Sequence, residues 1–325
     1  MSTTNEENIH SQYAMQLITA SLVPMVLKAA IELGVLDIIH RAGPGALLPP
    51  SEIASQLPSH NNPNAPLVLD RMLRLLSAHS ILTCSVSTHQ TDHVEVLRLY
   101  GSAPVAKYFI RDQHGASLAT LLNFCQDKVN KDSWYHLADA VLEGGIPFTN
   151  AYGMDLVEYL AGDARCAEIF KNSMKEFNPI LMKEILDNYT GFEGLNTLSP
   201  SYPGIEHIAG DMFVAIPKGD AIFMKWVLHL YDDKRCLMIL KNCYEALPKH
   251  GKMIVVNLVI PESPETSPSA KSLFQFDMFL MNTTTTEKER TEKEFESLAK
   301  QAGFYTIRVA CSAFNFSVVE LFRST

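Results

Sequence analysis

The strongest constraint on the fold is the run Ala221-Ile222-Phe223-Met224-Lys225-Trp226-Val227-Leu228-His229, apolar but for Lys225 until its closing histidine. It follows the turn-forming Pro217-Lys218-Gly219 and Asp220, and precedes the polar Tyr231-Asp232-Asp233-Lys234-Arg235. A continuous apolar run so bounded reads as a strand covered on both faces. His229 then falls where the strand ends. Ligands gather at the carboxyl ends of strands in open α/β sheets, so an imidazole there is placed for proton transfer. A capping or surface histidine is the competing reading.

The rest of the second half agrees with such a layered domain. Residues 205–213 read as a short strand closing on an acidic turn, 237–247 as a helix, 252–260 as a second apolar strand. Residues 291–302 form an amphipathic helical pattern in which Thr291 and Glu294 have capping-box spacing. Residues 305–309 and 316–322 read as a closing strand pair. Strand and helix alternating in this way imply a doubly wound sheet.

The first half is mainly helical. Over residues 11–39 apolar side chains recur at helical spacing, with Pro24 placed to kink or divide the helix. A helix so broadly apolar needs a cover, either its own domain's core or a second subunit. A short helix is expected over 50–57 with Ser51 as N-cap, a longer one over 65–80, then two β-like runs, 81–86 and 94–100. Helix, turn, helix and two-stranded wing make a winged-helix outline. A DNA-binding use is disfavoured: the second helix offers only Arg71 and Arg74, beside Asp70, too few cations for phosphate contacts. Further helices are expected over 116–123, 133–142, 155–160 and 164–189.

Composition bounds the class. The chain has 325 residues, 47% hydrophobic and 19% charged, with net charge −9, which suits about two globular domains and argues against nucleic acid as the partner. Six scattered cysteines without a Cys-x-x-Cys pair suit reduced thiols better than disulfides or a zinc site. No apolar run reaches membrane-spanning length and the N-terminus lacks a basic leader, so a cytoplasmic chain without membrane attachment is expected.

The motifs Ser133-Trp134-Tyr135-His136-Leu137, Gly144-Gly145-Ile146-Pro147-Phe148, Tyr189-Thr190-Gly191-Phe192-Glu193-Gly194, Gly210-Asp211-Met212-Phe213, Met224-Lys225-Trp226 and Lys288-Glu289-Arg290-Thr291 occur in this order. With them the chain closely resembles the plant caffeic acid 3-O-methyltransferases over nearly its whole length. The resemblance implies an α/β, Rossmann-like methyltransferase domain preceded by a mainly helical, winged-helix-like dimerisation domain. The implied boundaries are 1–110 for dimerisation, 111–190 for a helical connector contributing to the substrate pocket, and 191–325 for methyl transfer. It implies S-adenosylmethionine as cofactor, a small phenolic acceptor, a homodimer and no metal. Its catalytic base falls on His229, and one of two glutamates flanking that imidazole falls on Glu289. Cofactor contacts fall on Asp211, Met212 and Lys225. Pocket positions fall on Phe124, Phe170, Met174, Asn257 and Thr284.

The resemblance has gaps. After the Phe-Glu-Gly-Leu stretch the family carries a strand ending in Val-Asp-Val-Gly-Gly-Gly-Thr-Gly, then a helix and a strand with an acidic end that holds the ribose. Here Leu195-Asn196-Thr197-Leu198 runs straight into Ser199-Pro200-Ser201-Tyr202-Pro203-Gly204. About thirty residues, one strand–helix–strand unit, have no counterpart near 198–199, so an internally shortened sheet is expected. Leu230 and Tyr231 replace the family's Asp and Trp after the base, and Asn257 replaces its second flanking glutamate. Cys125, Leu160, Cys166 and Phe177 also depart, leaving a more apolar pocket. Two readings follow: an active phenolic O-methyltransferase, or a catalytically impaired splice or decayed form acting only as a dimer partner.

Overall fold

A computed structural model of the chain describes residues 3–58, 61–90, 94–193, 207–284 and 288–323. It divides into two compact units, Met1–Lys131 with Arg165–Pro179, and Asp132–Ala164 with Ile180–Thr325.

In the first unit the apolar stretch 11–39 lies within three helices, Thr3–Thr19, Leu22–Glu32 and Val35–Arg41. Pro24 sits in the first turn of the second helix and cannot donate to the Ala20 carbonyl, so the helix breaks one turn before the proline. The flanking segments bend by 48° there. No single helix among the described residues is long and apolar enough to cross a membrane. Gly34, at φ 71°, makes the second break in a left-handed conformation that costs glycine nothing. Along the first two helices Tyr13, Leu17, Ile18, Leu22 and Met25 are exposed, so most of that apolar surface is not spent on the unit's own core.

Ser51 is not an N-cap. Helix Pro50–Ser55 starts one residue earlier, with Pro49 extended in the cap position and no side-chain cap. Pro50, its φ already helical, occupies the first turn and shifts the start. Helix Ala65–Ala78 packs Leu69, Leu73 and Leu76 into a core with Leu36, Ile39 and Ile53. Strands β1 (Leu82–Gln90) and β2 (Val94–Ser102) pair antiparallel as the wing. Asp70 accepts from the Tyr100 hydroxyl at 2.6 Å and pairs with both Arg74 and Arg98. Arg74 of this helix and Arg98 of β2 therefore face a carboxylate.

The second unit is built on a mixed sheet: β3 (Ala221–Lys225), β4 (Lys252–Ile260), β5 (Arg290–Thr291), β6 (Thr306–Ala313) and β7 (Phe316–Phe322), in the order β3-β4-β7-β6 with β5 on β4. The β3–β4 and β4–β5 pairings are parallel; β4–β7 and β6–β7 are antiparallel. Helix Asp233–Ala246, capped by Asp232, crosses from β3 to β4. Helix Glu292–Ala302 starts on the expected capping box, Thr291 with Glu294. Their apolar faces cover one side of the sheet through Ile239, Leu240, Leu298 and Ala299, against Met253, Val255 and Val319. Helix Pro268–Thr283 starts on Ser267.

Strand β4 is buried from Met253 to Leu258, whereas every residue of β3 is only half-buried. Among the described residues no strand pairs with β3 on the side away from β4. The expected strand over 205–213 does not form: 205 and 206 lie outside the described residues, 207–210 is irregular, and 211–214 makes a turn. There Asp211 takes its own neighbours' amides, Phe213 N–H on Oδ1 at 2.9 Å and Val214 N–H on its carbonyl. An Asx turn of this kind diverts the amides a strand ladder needs.

Candidate active site

Strand β3 stops at Lys225, short of the expected 229. Trp226 adopts φ 50°, unusual for a bulky residue, while its N–H still reaches the Val256 carbonyl at 2.7 Å. The chain thus leaves the sheet into a 3-10 turn, Leu228–Leu230. His229 therefore sits inside a turn beyond the strand, not on the strand's last residue.

The imidazole is 5% exposed and lies 5.0 Å from the Trp226 ring. Its Nδ1 is buried with no hydrogen-bond partner among the described residues. Burial first, then the charges of Arg290 and Lys225, push its pKa down from 6.5 to about 3. At neutral pH the ring is uncharged and able to accept a proton, the state a general base requires.

Glu289 stands beside it on the 288–290 strap. One carboxylate oxygen accepts from Trp226 Nε1 at 3.0 Å, the other from Asn257 Nδ2 at 3.1 Å. Its own N–H donates to Asp277 Oδ1. Burial raises its pKa to about 7; the two donors oppose that and the Asp277 charge adds to it. Glu289 adjoins the imidazole through the Trp226 indole that both of them touch.

Asn257, on β4, is 1% exposed; with Nδ2 spent on Glu289, its Oδ1 has no partner among the described residues. Thr284 Oγ1 and Asn282 Oδ1 are likewise buried and unpartnered, although Asn282 Nδ2 donates to Ser133 Oγ at 2.8 Å. Buried acceptors without donors are costly, and a ligand offering hydroxyl groups would relieve that cost.

Asp211 and Met212 line an open cavity of about 710 Å³ beside β3, with Ile208, Ile222, Phe223 and Met224. That volume lies within the roughly 300–1,000 Å³ of small-molecule sites. The Met212 carbonyl is fixed by Asn242 Nδ2 at 2.8 Å. Lys225 ends β3 half-buried, and burial lowers its pKa. Phe124, Phe170 and Met174 belong to the first unit, where the two phenyl rings lie 5.2 Å apart and Phe170 and Met174 share one face of helix Ala164–Asn188.

Two residues of the site escaped a role in the sequence reading, although both stand in quoted motifs. Trp226 links Glu289 to His229. Arg290, fully buried, donates to the carbonyls of Leu228 and Tyr231. A charged residue inside an otherwise extended polar motif was the available signal.

An α/β sheet with a neutral buried histidine past a parallel strand, joined to a helical winged unit, is the architecture of a class of methyl-transferring enzymes. The comparisons place the chain within it. An O-methyltransferase domain model matches residues 134–200 and 198–305, and an O-methyltransferase dimerisation domain model matches 15–112. The chain is 48% identical over 345 aligned positions to the caffeic acid 3-O-methyltransferase of Medicago sativa, covering 96% of this chain and 94% of that one. It is 49% identical to O-methyltransferase 13 of Lophophora williamsii, with the same coverage. The fold is similar to that of human N-acetylserotonin methyltransferase in complex with SAM, at TM-score 0.71, 17% identity and coverage of 97% and 98%. It is also similar to the pyocyanin biosynthetic protein PhzM, at TM-score 0.72, 20% identity and coverage of 97% and 99%. This chain belongs to the O-methyltransferase family whose members include the plant caffeic acid 3-O-methyltransferases.

Proposed function

We propose that the chain methylates a phenolic hydroxyl of a small phenylpropanoid-like acceptor, with S-adenosylmethionine as methyl donor and His229 as general base. The observation that carries this reading is the uncharged, buried imidazole of His229, in a turn fixed on both sides. The donor supplies an electrophilic methyl group. Asp211, Met212 and Lys225 are the residues that would hold it, a role supported by the cavity that the first two line.

A phenol with pKa near ~10 is about a thousandth ionised at neutral pH, so its proton must leave as the oxygen attacks. With Nδ1 enclosed, Nε2 of His229 is the atom that takes it. Glu289 is tied to the imidazole through the Trp226 indole that both touch. Asn257 Oδ1 and Thr284 Oγ1 accept hydrogen bonds from the acceptor's hydroxyls. Residues 1–110 pair two copies through the exposed apolar face of the first helices, 111–190 act as connector, and 191–325 carry the chemistry.

A second reading is a chain that does not turn over and acts as a dimer partner. It is favoured by the alignment to the Medicago sativa relative, whose 345 positions exceed the 325 residues here. The two spans of the methyltransferase match also meet at 198–200, where the glycine-rich segment is expected.

Calorimetric titration with S-adenosylhomocysteine, followed by methyl transfer to a panel of phenols, separates the two readings. Micromolar binding, a raised melting temperature and turnover that falls at least about 100-fold in His229→Gln support the enzyme. A cooperative melt with no heat of binding supports the dimer partner and sinks the catalytic reading.

A further inference from the structure

The turn that carries His229 is gripped by three consecutive residues. Lys288 N–H donates to the His229 carbonyl at 3.2 Å. The Glu289 carboxylate takes the Trp226 indole. Arg290 sends Nη1 to the Leu228 carbonyl at 2.8 Å and Nη2 to the Tyr231 carbonyl at 2.7 Å. Its Nε and Nη2 also meet Asp233 Oδ1, at 3.0 and 2.8 Å. The two carbonyls flank His229 in sequence, so one rigid fork bridges both ends of the turn. Only a planar guanidinium presents donors in that pattern; an ammonium cannot reach both carbonyls and the carboxylate together.

As a stabilising device this is a poor design. The guanidinium is fully buried, yet the carboxylate it pairs with, Asp233, is 59% exposed, and buried cations answered so weakly contribute little net stability. Placement of the turn is what the arrangement does supply. Among the described residues, other titratable groups tied to the turn and strap include Lys225 on β3, Glu289 on the strap, Asp277 on helix Pro268–Thr283, which takes the Glu289 N–H, and Asp233 and Cys236 on helix Asp233–Ala246; Cys236 Sγ shares the Leu228 carbonyl at 3.1 Å. Arg290 and Lys225 are the cations that act on the imidazole.

We propose that Arg290 is the positioning residue of the His229 imidazole: its fork fixes the turn that carries the ring. The catalytic consequence rests on His229 being the base; the geometric claim does not.

The test uses the full chain with ring-labelled histidine, the His229 signal being assigned by its loss in His229→Gln. In the unaltered chain that signal is expected not to titrate from about pH 5 to about pH 8. Arg290→Lys keeps the charge but loses the fork, so the signal should shift. Arg290→Met loses the fork as well, so its signal should shift too. Glu320→Gln, which removes a buried charge elsewhere on the sheet, should leave the ring signal alone. If the unaltered chain transfers methyl groups, Arg290→Lys should lower kcat about 100-fold with KM little changed. An unchanged His229 signal in a cooperatively melting Arg290→Lys chain overturns the proposal, and that variant decides the matter if Arg290→Met does not fold. A chain without methyl transfer defeats the functional reading but leaves the ring measurement intact.

Discussion

Among the described residues two glutamates are buried in the second unit, and their surroundings put the same side chain to opposite uses. Glu320, on β7, accepts from Lys252 Nζ at 2.8 Å, from the Tyr189 hydroxyl at 2.7 Å and from its cross-strand partner Arg308. Burial alone would raise its pKa, but these donors outweigh burial and hold the carboxyl below its usual range. Glu289 is more heavily desolvated, and both of its side-chain donors, Trp226 and Asn257, are neutral, so its pKa rises to about 7. A carboxylate answered by cations is charged and serves the fold. One answered by neutral donors is poised to change charge, which is what an active site needs.

The largest expected difference is in stability. Glu320→Ala leaves Lys252 and Arg308 facing each other without an anion and should cost about 3 kcal/mol, the low end for a broken buried pair because Arg308 is well exposed. Glu289→Gln changes little in a group already near half-protonated and should cost about 1 kcal/mol or less. Urea unfolding at pH 7 measures both, and equal losses would erase the distinction.

The pH profile sharpens it. Between about pH 3 and 6.5 the unfolded chain protonates His229 and the folded chain does not, so this residue makes stability rise with pH. Between 4.5 and about 7 the folded chain keeps a proton on Glu289 that the unfolded chain has released, so Glu289 makes stability fall with pH. Where the windows overlap the two slopes, each about 1.4 kcal/mol per pH unit, cancel. His229→Gln should therefore expose a falling profile and Glu289→Gln a rising one. Glu320 contributes only at the acid end: its stabilisation is complete above the unfolded carboxyl value of 4.5 and is lost as pH falls through its depressed folded value. Denaturation series from pH 4 to 7.5 that run parallel in all three chains would contradict both assignments at His229 and Glu289.

What was legible in the sequence divides along the same line. Residues 252–260 were readable as a strand because burial on both faces leaves a run that, after Lys252, is apolar but for Asn257. The Thr291–Glu294 cap was readable because its two bonds are local. Residues 205–213 were not, since a strand needs a partner and no local pattern reveals whether one is present. Nor was the end of β3 readable: the apolar run continues through Val227 and Leu228, and only the positive φ of Trp226 turns the chain out of the sheet. Family motifs pointed to His229 and Glu289. They did not show that Glu289 is held by Trp226 and Asn257, or that Arg290 spans the turn, because these bonds join residues 32 to 63 positions apart.

A smaller effect tests the link between the poised glutamate and the base. Trp226→Phe keeps a ring beside His229 but removes the Nε1–H on Glu289, which should cost about 1 kcal/mol. Because that donor favours the charged carboxylate, its loss should push the Glu289 titration above pH 7, read as an upward shift of the falling limb in a His229→Gln background. No shift would mean that the indole does not set the charge of Glu289.

The smallest expected effect is at Asn257. Asn257→Leu removes one donor from Glu289, an unfavourable change of about 1 kcal/mol, but it also removes a buried acceptor that has no donor of its own, a gain of similar size. The two should nearly cancel, leaving stability within about 1 kcal/mol of the unaltered chain. Ligand binding should not be spared in the same way. If Asn257 Oδ1 is left unpaired to receive an acceptor hydroxyl, Asn257→Leu should weaken phenol binding about tenfold while S-adenosylhomocysteine binding stays level. A large stability loss with unchanged phenol affinity would instead make Asn257 a partner of Glu289 alone, and would place it with Glu320 among the groups that hold the sheet together.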